Sequence, residues 1–536
     1  MKGAFCGRVV TRYSREPRRL RMFKNTTLSP LNSSMTKRSF LKGSVASMAL
    51  STQAFGVRHA IAQSAEWDLI IVGGGTTGMP AALFAVDRGA RVLLIDKAPQ
   101  LGGTLDRTGG QVAAAGTVWQ KQQGITDSPD AHYDDVMRIN RHTSDPVLTR
   151  LLVDNAADTI NWYAARGYTV MDGHPVLGSG HEFFTTRRYQ WSKDEGQGFQ
   201  NILDPMIEEA KATGRLSVLL STGATDLIQD ETGAVRGVVA ENDSGERVDY
   251  RSKFVALCSG GCAANPRMYQ DLHGMPLYWD IAYPYSQGDG ITLGLGAGGY
   301  VRGGDMFAPV FGIILESNHF PAPAVASPSL EPRNRKPWEV FVNLHGKRFV
   351  QEDHPSLAHR EYTLSVQPGH RHWAIFDQEI LDSAPPLIPR WSREQLDDAF
   401  IDHPMFAKAA TIGELGVKAG INPYNLEREI AAYNDGVLHD GPDAMGKEHR
   451  PLPIAKGPFY AVQLQGATVK SAAGLAVDGD LRVTGGDGNP IPNLYAAGEV
   501  IGGAATSGQA LTNGMGMTPA LTFGRLLGQK IIPFTA

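Results

Sequence analysis

The sequence has few cysteines, no long apolar run and almost no net charge, and each shortage excludes a class of protein. Its 536 residues include three cysteines, Cys6, Cys258 and Cys262, too few for a disulfide framework. The CxxCH motif that attaches c-type haem does not occur. No run of 18 apolar residues follows the N-terminal region, so no integral membrane segment is expected. Lys and Arg total 51 and Asp and Glu 55, a formal net charge of -4, which argues against a nucleic-acid partner.

The basic residues are concentrated at the N-terminus. Residues 1–65 hold 12 of the 51 basic residues and one acid, so the rest of the chain is acidic. In this leader, Thr36-Lys37-Arg38-Ser39-Phe40-Leu41-Lys42 resembles a twin-arginine export signal, and an apolar stretch and Ala60-Ile61-Ala62 follow it. A periplasmic or otherwise exported protein is therefore expected, with a transit peptide or a basic tail as the alternatives. Met35 directly precedes the signal, so residues 1–34 are interpreted as an upstream extension or a mis-assigned start.

A nucleotide-binding motif begins directly after the leader. Residues 67–72 are an apolar predicted strand, Gly73-Gly74-Gly75-Thr76-Thr77-Gly78 fits G-x-G-x-x-G, and residues 79–88 predict a helix. Such glycines permit a tight turn, and the helix N-terminus offers N–H groups to a pyrophosphate. A second predicted strand ends at a carboxylate suited to a ribose hydroxyl. The cofactor-binding candidates in this region are Gly73, Gly75, Thr77, Gly78, Asp96 and Lys97.

Further predicted strands along the chain also end in glycine turns, and these indicate which dinucleotide is expected. One is residues 254–261, and another is residues 493–499, which end in Gly498-Glu499. Together with Leu101-Gly102-Gly103-Thr104 and Gln287-Gly288-Asp289-Gly290, they resemble the FAD-dependent fumarate reductase/succinate dehydrogenase flavoprotein superfamily (FAD-binding type 2). This superfamily includes 3-ketosteroid dehydrogenases and tricarballylate dehydrogenase-like enzymes. The resemblance implies FAD as the cofactor and adds these binding residues: Gly103, Thr104, Gly109, Gly110, Gly260, Gly261, Asp289, Gly498 and Glu499.

The resemblance also implies the fold, which is α/β. It predicts a Rossmann-like FAD-binding domain that is discontinuous in sequence, with an inserted α+β capping domain. The expected boundaries are 66–300 for the first part of the FAD-binding domain, 301–456 for the capping domain and 457–536 for the second part. Residues 343–352, which read NLHGKRFVQE, resemble the capping-domain segment N-x-x-G-K-R-F-V-x-E.

The flavin ring is expected to lie against a turn and helix near the C-terminus. Thr518 is predicted as the helix cap and Pro519 as the first helical residue. In the family this helix directs its dipole at the pyrimidine end of the flavin, which implies ring contacts from Gly514, Met515 and Met517. In the succinate dehydrogenase branch of the family, a histidine near this glycine segment attaches the flavin covalently. No histidine lies between Gly102 and Lys121, so the resemblance implies noncovalent FAD.

The substrate-binding segments depart from those of fumarate reductases. After Gly502-Gly503 those enzymes carry a histidine and an arginine that bind the dicarboxylate, but residues 504–513 here contain neither. The family's His-Pro-Thr substrate segment is also absent, since the corresponding residues 305–311 read DMFAPVF. A dicarboxylate without counter-charges is disfavoured. The catalytic candidates come from the capping segment and are Arg360, His359 and His354; no metal site is expected.

These residues predict an FAD-dependent oxidoreductase that acts on CH–CH groups. We expect it to interconvert C–C single and double bonds next to a carbonyl, as a 3-ketosteroid-dehydrogenase-like α,β-dehydrogenase with hydride transfer to flavin N5. The alternative is a fumarate- or urocanate-type ene-reductase that uses respiratory electrons. A flavin oxidase or monooxygenase and a non-catalytic flavoprotein are further alternatives. The expected partners are a small ketone or carboxylate substrate and a separate quinone or cytochrome electron carrier.

Overall fold

Residues 66–534 of the chain are described by a computed structural model. The leader lies outside the described residues. This holds for the predicted export signal and for residues 1–34, which the sequence analysis interprets as an extension or a mis-assigned start. Within residues 66–534, no helix is both long enough and apolar enough to cross a membrane.

Strands and helices alternate through the first third of the described chain, as the sequence pattern predicts for an α/β protein. The strands are, in chain order, β1 Trp67–Val72, β2 Val92–Ile95, β3 Val112–Ala113, β4 Tyr189–Gln190, β5 Leu216–Leu219, β6 Thr222–Gln229, β7 Val235–Asn242, β8 Arg247–Leu257, β9 Val301–Arg302, β10 Val310–Leu315, β11 Ala324–Ala326, β12 Val340–Val342, β13 Arg371–Asp377, β14 Phe406–Ala409, β15 Phe459–Ala467, β16 Gly474–Leu475, β17 Arg482–Thr484 and β18 Pro490–Ala496. The α-helices are α1 Gly78–Asp87, α2 Val118–Gln122, α3 Pro129–Ile139, α4 Pro146–Ala164, α5 Gln197–Ala212, α6 Pro266–His273, α7 Asp289–Gly296, α8 Leu357–Ser365, α9 Gln378–Ser383, α10 Arg393–Asp402, α11 Ile412–Ala419, α12 Pro423–Leu438, α13 Ala504–Ser507 and α14 Met517–Leu526.

An eight-stranded sheet carries the predicted nucleotide-binding motifs. Its strand order is β17-β18-β8-β1-β2-β5, and β7 joins β8 to β6. The strands from β5 to β18 along this path are parallel, and Val72 of β1 pairs with both Ile95 of β2 and Leu257 of β8. Continuous apolar strands such as β1 and β2 are typical of a parallel sheet covered on both faces. The carboxyl ends of β1, β2, β8 and β18 therefore meet at one edge of this sheet.

A second, antiparallel sheet has six strands in the order β11-β10-β15-β13-β12, with β14 also paired to β15. The central strand β15 is buried along its whole length and pairs with β10, β13 and β14. This strand follows residue 456, where the sequence places the end of the capping domain. The domain boundaries remain a prediction, and the sheet pairing indicates that the capping unit includes β15.

Each sheet has a hydrophobic core of its own. Side chains such as Ile71, Leu94 and Phe523 belong to the core of the first sheet. Side chains such as Phe341 and Ile375 belong to the core of the second. Two sheets with separate cores confirm the predicted α/β architecture of a nucleotide-binding unit and a capping unit.

Buried ion pairs fix the capping segment that the sequence singles out. Arg348 contacts Glu352 at 2.7 Å and Asp443 at 2.6 Å, and all three side chains are almost fully buried. The guanidinium binds both carboxylates through paired N–H groups, which is the geometry that makes a buried ion pair tolerable. Arg348 and Glu352 therefore have a structural role that holds the loop before α8.

Candidate functional site

Three glycine turns converge at the carboxyl edge of the first sheet. The amide of Gly73 donates to the carbonyl of Ile95 at 2.8 Å, and the amide of Cys258 donates to the carbonyl of Val72 at 2.7 Å. The amide of Ala497 donates to the carbonyl of Leu257 at 3.1 Å. The elements that the sequence spreads over residues 73–499 thus form one continuous edge.

Glycine is required where the turn after β1 enters α1. A Cβ on Gly78 would lie 1.8 Å from the carbonyl oxygen of Gly73, so only glycine allows the helix to approach the strand this closely. From the third turn, Gly498 approaches α1 with φ +84°, and a Cβ there would lie 2.4 Å from Thr77 Oγ1. The structure therefore brings together Gly73, Gly75, Thr77, Gly78 and Gly498, and their contact with a cofactor stays a prediction.

The N-terminus of α1 fits a pyrophosphate. No side chain caps this helix and its first turn holds no acidic residue, whereas side chains cap helices such as α3, α4 and α6. Its first nine residues, Gly78–Val86, are buried. The amide of Met79 donates to the carbonyl of Gly75 at 3.1 Å and Pro80 has no N–H, so this buried helix start is suited to an anion mainly through its positive dipole.

Asp96 lies at the end of β2, where the sequence predicts a ribose contact. Its Oδ2 accepts from the amide of Gly74 at 2.6 Å, and its Oδ1 accepts from the amide of Ala98 at 2.7 Å. Burial raises the pKa of Asp96, and the two amide hydrogen bonds oppose this shift. Each oxygen keeps a lone pair that can accept a hydroxyl hydrogen.

Other predicted cofactor-binding residues lie near the carboxyl edge of the first sheet. Lys97 Nζ lies 3.1 Å from Asp289 Oδ2, which joins the end of β2 to the first residue of α7. Thr104 Oγ1 lies 3.4 Å from Thr76 Oγ1, and a Cβ on Gly103 would lie 3.0 Å from the Cα of Gly75. Gly109 and Gly110 form the turn that enters β3.

Glu499 and the glycine pair 260–261 form the far end of the edge. Glu499 Oε1 accepts from the amide of Ser471 at 2.8 Å and from its hydroxyl at 3.1 Å. Burial raises the pKa of Glu499, and these hydrogen bonds and the positive charge of Lys470 oppose the shift. A Cβ on Gly261 would lie 2.6 Å from Glu499 Oε1, while Gly260 takes φ +79° in the turn after β8.

The helix near the C-terminus begins at Met517, two residues earlier than predicted. Its cap position is Gly516, which makes no side-chain cap, and Thr518 lies inside the first turn. The predicted capping role of Thr518 is therefore wrong. Its hydroxyl instead donates to the carbonyl of Gly514 at 2.9 Å and accepts from the amide of Ala113 at 2.9 Å, which ties α14 to β3.

The start of α14 also fits a cofactor. Met515 and Met517 are buried on either side of Gly516, which is itself exposed, and a Cβ on Gly516 would meet no atom within 4 Å. An uncapped helix end that faces open space is an arrangement that can stabilise negative charge on a bound ring.

A small pocket that is open to solvent lies next to α13, and Ser507 of α13 donates to the carbonyl of Met515 in the turn before α14. Its walls come from the segment before β10, the segment after β15 and the region of α13. Both sequence segments that correspond to substrate-binding segments of fumarate reductases, 305–311 and 504–513, contribute to it. The lining residues are Met306, Phe307, Ala308, Thr468, Lys470, Ala472, Gly503, Ala504, Gly508 and Ala510.

Lys470 is the charged residue of this lining, and the sequence analysis missed it. Its Nζ donates to Ser507 Oγ at 3.4 Å, and that hydroxyl donates to the carbonyl of Met515 at 3.3 Å. Burial lowers the pKa of Lys470, and the charge of Glu499 opposes the shift. The feature of the sequence that could have identified this residue is a single lysine in the short segment between the apolar strand β15 and the glycine at the start of β16.

The three predicted catalytic residues lie on or next to α8 and do not line this pocket. Arg360 is 1% exposed, donates to the carbonyls of Leu330 at 2.7 Å and Glu352 at 3.3 Å, and stacks over Phe311. Burial lowers its pKa to about 10. It packs in the capping core, and its catalytic role stays a prediction.

The two predicted histidines form a separate pair. The rings of His354 and His359 lie 4.3 Å apart, and His359 Nδ1 lies 3.5 Å from Arg141. His354 Nδ1 accepts from the amide of Ser356 at 3.1 Å. Burial lowers the pKa of His359, and the charges of His354 and Arg141 add to this effect. Their catalytic role also stays a prediction.

A buried carboxylate on α8 contacts the nucleotide-binding unit. Glu361 Oε1 lies 2.7 Å from His181 Nδ1, and its Oε2 is buried without a hydrogen-bond partner. Burial raises the pKa of Glu361, and His181 opposes this shift. The next residue, Glu182, receives a hydrogen bond from Asn513 to its carbonyl at 2.8 Å, so this contact lies near the turn before α14. The sequence analysis missed this pair as well.

The fold and the site define a dinucleotide-binding flavoprotein with a capping unit. Residues 68–514 match the family described as FAD binding domain, and the chain belongs to this family. FAD binding is a property of the family, and the starts of α1 and α14, which lack side-chain caps, fit that cofactor. Within residues 66–534, no group of His, Cys, Asp and Glu side chains could hold a metal ion.

The similar proteins include reductases and a dehydrogenase. A fumarate reductase (cytochrome) of Shewanella frigidimarina is 26% identical over 87% of this chain and 77% of its own length. A urocanate reductase of Eggerthella lenta is 28% identical over 86% of this chain and 74% of its own length. A 4-oxocyclohexanecarboxylate 2-dehydrogenase of Sinomonas cyclohexanicum is 25% identical over 87% of this chain and 92% of its own length. The chain is therefore an FAD-dependent oxidoreductase of the type that acts on CH–CH groups.

The fold agrees with a solved structure. A 3-ketosteroid Δ1-dehydrogenase from Sterolibacterium denitrificans matches with a TM-score of 0.65 and 18% sequence identity, over 88% of this chain and all of that chain. At this identity the match shows the shared fold alone. It confirms the predicted flavoprotein fold with a capping domain.

Proposed function

We propose that the protein interconverts C–C single and double bonds next to a carbonyl in a small substrate, as an α,β-dehydrogenase similar to 3-ketosteroid dehydrogenases. The observation that carries this proposal is the pocket around Lys470, whose other lining side chains are mostly apolar. Ser507 links this lysine to the turn before α14, so the pocket adjoins the expected flavin position. An apolar pocket with one cation suits a small ketone or carboxylate better than a dicarboxylate.

FAD would be held noncovalently along the edge of the first sheet and would accept or supply hydride at N5. The start of α1 would bind the pyrophosphate, and Asp96 would bind a ribose hydroxyl. The turn before α14 would support the flavin ring. The full set of proposed FAD contacts is Gly73, Gly75, Thr77, Gly78, Asp96, Lys97, Gly103, Thr104, Gly109, Gly110, Gly260, Gly261, Asp289, Gly498, Glu499, Gly514, Met515 and Met517.

The reaction also needs a group that moves a proton at the carbon next to the one that exchanges hydride. The proposed donors or acceptors lie on the capping segment and are Arg360, His359 and His354. The His181–Glu361 pair adds a carboxylate whose pKa is raised by burial, as is common for groups that exchange protons in active sites. All of these groups would reach a substrate only through movement of the capping unit, because none lines the pocket.

A fumarate- or urocanate-type ene-reductase is the second candidate. The similarity to fumarate and urocanate reductases favours it. Electrons would then come from a separate quinone or cytochrome carrier, and the proposed export signal would bring the protein to the periplasm, where such carriers operate. The single lysine of the pocket disfavours fumarate, which has two carboxylates, but not urocanate, which has one.

Anaerobic stopped-flow spectroscopy of the purified FAD enzyme separates the two candidates. The panel contains a 3-ketosteroid, 4-oxocyclohexanecarboxylate, succinate and tricarballylate, and the oxidised flavin band is followed. Bleaching by a ketone supports the dehydrogenase. Failure with every donor, together with rapid reoxidation of dithionite-reduced enzyme by fumarate or urocanate, makes the protein a reductase. A hydrogen peroxide assay in air tests the oxidase alternative.

A further inference from the structure

The segment of residues 178–184 lies between the turn before α14 and helix α8 of the capping unit. On one side, Asn513 Nδ2 donates to the carbonyl of Glu182 at 2.8 Å. On the other side, Glu182 Oε2 accepts from the hydroxyl of Ser356 at 2.7 Å and from the amide of Ala358 at 3.3 Å. Because Asn513 directly precedes the turn expected to support the flavin, this segment joins that turn to the capping unit.

His181 of this segment is held by a buried carboxylate of α8. Its Nδ1 lies 2.7 Å from Glu361 Oε1, and the side chain of Glu361 is 7% exposed, whereas that of His181 is 29% exposed. Glu361 Oε2 is buried and has no hydrogen-bond partner. Within residues 66–534, His181 Nε2 has no hydrogen-bond partner either. The ring is therefore fixed through one nitrogen, and the other nitrogen is left over.

This pair has the chemistry of a general acid–base group. A short contact between an imidazole nitrogen and a carboxylate oxygen needs a hydrogen between the two atoms. With Glu361 ionised, that hydrogen is on Nδ1 of the neutral ring, so Nε2 carries a lone pair that can accept a proton. The carboxylate then stabilises the imidazolium that forms, because opposite charges attract strongly where water is excluded. The pair can therefore take a proton from a carbon atom or return one to it.

The catalytic candidates on the capping segment lack this arrangement. Within residues 66–534, no carboxylate oxygen lies within 4.0 Å of a ring nitrogen of His354 or His359. Arg360 donates to two backbone carbonyls and stays protonated near neutral pH, even with its pKa lowered to about 10. Of the three imidazoles next to α8, His181 is the one with both a carboxylate partner and a nitrogen that is left over.

We propose that His181 is the catalytic residue that exchanges a proton with the substrate carbon next to the carbonyl, and that Glu361 is its positioning residue. This proposal rests on the proposed function for the reaction. In desaturation, the C–H bond next to the carbonyl breaks and its proton goes to Nε2. Its electron pair becomes the second bond of C=C, while the neighbouring carbon loses hydride to the flavin. In reduction, His181 returns the proton to the same carbon. The movement of the capping unit that the proposed function requires would bring the substrate against this ring.

The first test is single-turnover reduction of the flavin by 4-oxocyclohexanecarboxylate, followed by anaerobic stopped-flow at several substrate concentrations. His181→Gln should lower the limiting rate of bleaching by about 100- to 10,000-fold, as for loss of a general acid–base group, and leave the half-saturating concentration within a factor of about three. Glu361→Gln should lower the limiting rate at least about tenfold, because an amide can donate to Nδ1 and favour the tautomer without a lone pair on Nε2.

Glu182→Gln is the matched control, and chemical rescue separates proton transfer from packing. The glutamine oxygen can still accept from Ser356 and Ala358, so this variant removes a charge from the same segment and should keep the wild-type limiting rate. His181→Gly should lose the rate as His181→Gln does, and added imidazole should restore part of it in proportion to its concentration. FAD content and melting temperature of each variant identify a folding defect.

Two results would overturn the proposal. One is a limiting rate in His181→Gln equal to that of the wild type. The other is a loss of rate that Glu182→Gln shares and that imidazole does not restore in His181→Gly, since His181 would then act only through the structure of the segment.

Failure of the proposed function gives a different pattern. If no ketone bleaches the wild-type flavin but urocanate reoxidises the dithionite-reduced enzyme, the same variants are compared in that reaction. A loss of rate in His181→Gln then supports the proposal, and an unchanged rate overturns it. If neither reaction occurs, the measurement is exchange of the protons next to the carbonyl of 4-oxocyclohexanecarboxylate for deuterium, which needs a base but no hydride transfer. Exchange above the enzyme-free rate that is lost in His181→Gln supports the role of His181, and absence of exchange overturns it.

Discussion

One uncharged imidazole holds the segment that carries the pocket lysine. His273 Nε2 accepts from two consecutive amides, those of Ala472 and Ala473, and His273 Nδ1 donates to the carbonyl of Tyr269 at 2.9 Å. The ring also stacks on Tyr269. All three hydrogen bonds require the neutral tautomer with its proton on Nδ1. Protonation of Nε2 would turn the acceptor into a donor that faces two donors.

This arrangement predicts a pH-dependent contribution of His273 to stability. Burial lowers the pKa of His273 below that of an unfolded histidine, about 6.5. Its contribution is therefore fully present above about pH 6.5 and is lost as the pH falls toward the folded-state pKa. His273→Asn should lower the melting temperature by a few degrees at pH 7.5, as expected for about 1–3 kcal/mol, and by less at pH 5.

The control for this prediction is His319→Asn. His319 is exposed and lies between β10 and β11 of the second sheet. It should differ from the wild type equally at both pH values. The measurement is thermal release of FAD followed by flavin fluorescence. A deficit of His273→Asn that is the same at pH 5 and pH 7.5 would show that the ring acts by packing alone.

Residues that sequence reasoning can identify differ physically from those it cannot. The role of Gly78 can be predicted from the sequence, because the close backbone approach that it permits lies within one six-residue turn. The position of Lys470 cannot, because it lines a pocket only when the segment after β15 meets α13. Arg360 shows the opposite problem, since its position after a capping motif indicated chemistry while tertiary packing buries it over Phe311.

At the scale of elements, α14 is the helix whose start best indicates a ligand. The capped helices of the described chain use a Ser, Thr, Asp or Asn side chain, for example Ser128 before α3 and Asp145 before α4. The start of α14 has none, although Met517–Pro519 are buried there. The sequence predicted the helix but assigned its cap to Thr518 and its first position to Pro519, which are the second and third helical residues. A hydroxyl inside the first turn can bond back to a carbonyl four residues earlier, and this is the bond that Thr518 makes.

We predict that Gly516→Leu abolishes FAD binding without unfolding the protein. Gly516 has φ -96°, which any residue can adopt, and a Cβ there meets nothing within 4 Å. A leucine side chain would therefore be tolerated by the polypeptide and would occupy the space expected for the flavin ring. The ratio of flavin to protein absorbance should fall at least tenfold, while the far-ultraviolet circular dichroism spectrum remains that of the wild type.

Gly486→Leu is the matched control for this substitution. Gly486 is also exposed, lacks positive φ and has open space at its Cβ, but it lies in the turn between β17 and β18. It should retain full FAD content. Stoichiometric FAD in Gly516→Leu would place the flavin elsewhere and remove the support for the predicted contacts of Met515 and Met517.

At the scale of the whole molecule, the sequence predicts the first sheet better than the second. The first sheet was predicted because β1, β8 and β18 each end in a glycine turn, and those turns meet at one edge. The second sheet has no such markers, and its central strand β15 is separated from its partner β13 by more than 80 residues. Long-range antiparallel pairing leaves no local pattern, so the end of the capping unit was expected at residue 456, before β15.

The pairing of β15 leads to a prediction about which part of the chain forms a capping unit. An isolated fragment of residues 304–468 should fold, whereas a fragment of residues 304–456 should not. The shorter fragment lacks β15, so β14 loses its partner strand, and β10 and β13 each lose one of two partners. The unpaired backbone groups and the apolar faces of Trp373, Ile375 and Phe406 would then be exposed to water.

Circular dichroism and the dispersion of amide resonances measure this difference. The longer fragment should show a cooperative thermal transition and well-dispersed amide signals, and the shorter one should show neither. A third fragment, residues 304–468 with Val462→Asp, controls for the added length, since Val462 is fully buried at the centre of β15 and pairs with both β13 and β14. It should behave like the shorter fragment. Equal folding of the fragments that end at 456 and 468 would mean that β15 is not required by the capping core, and would favour the boundary expected from the sequence.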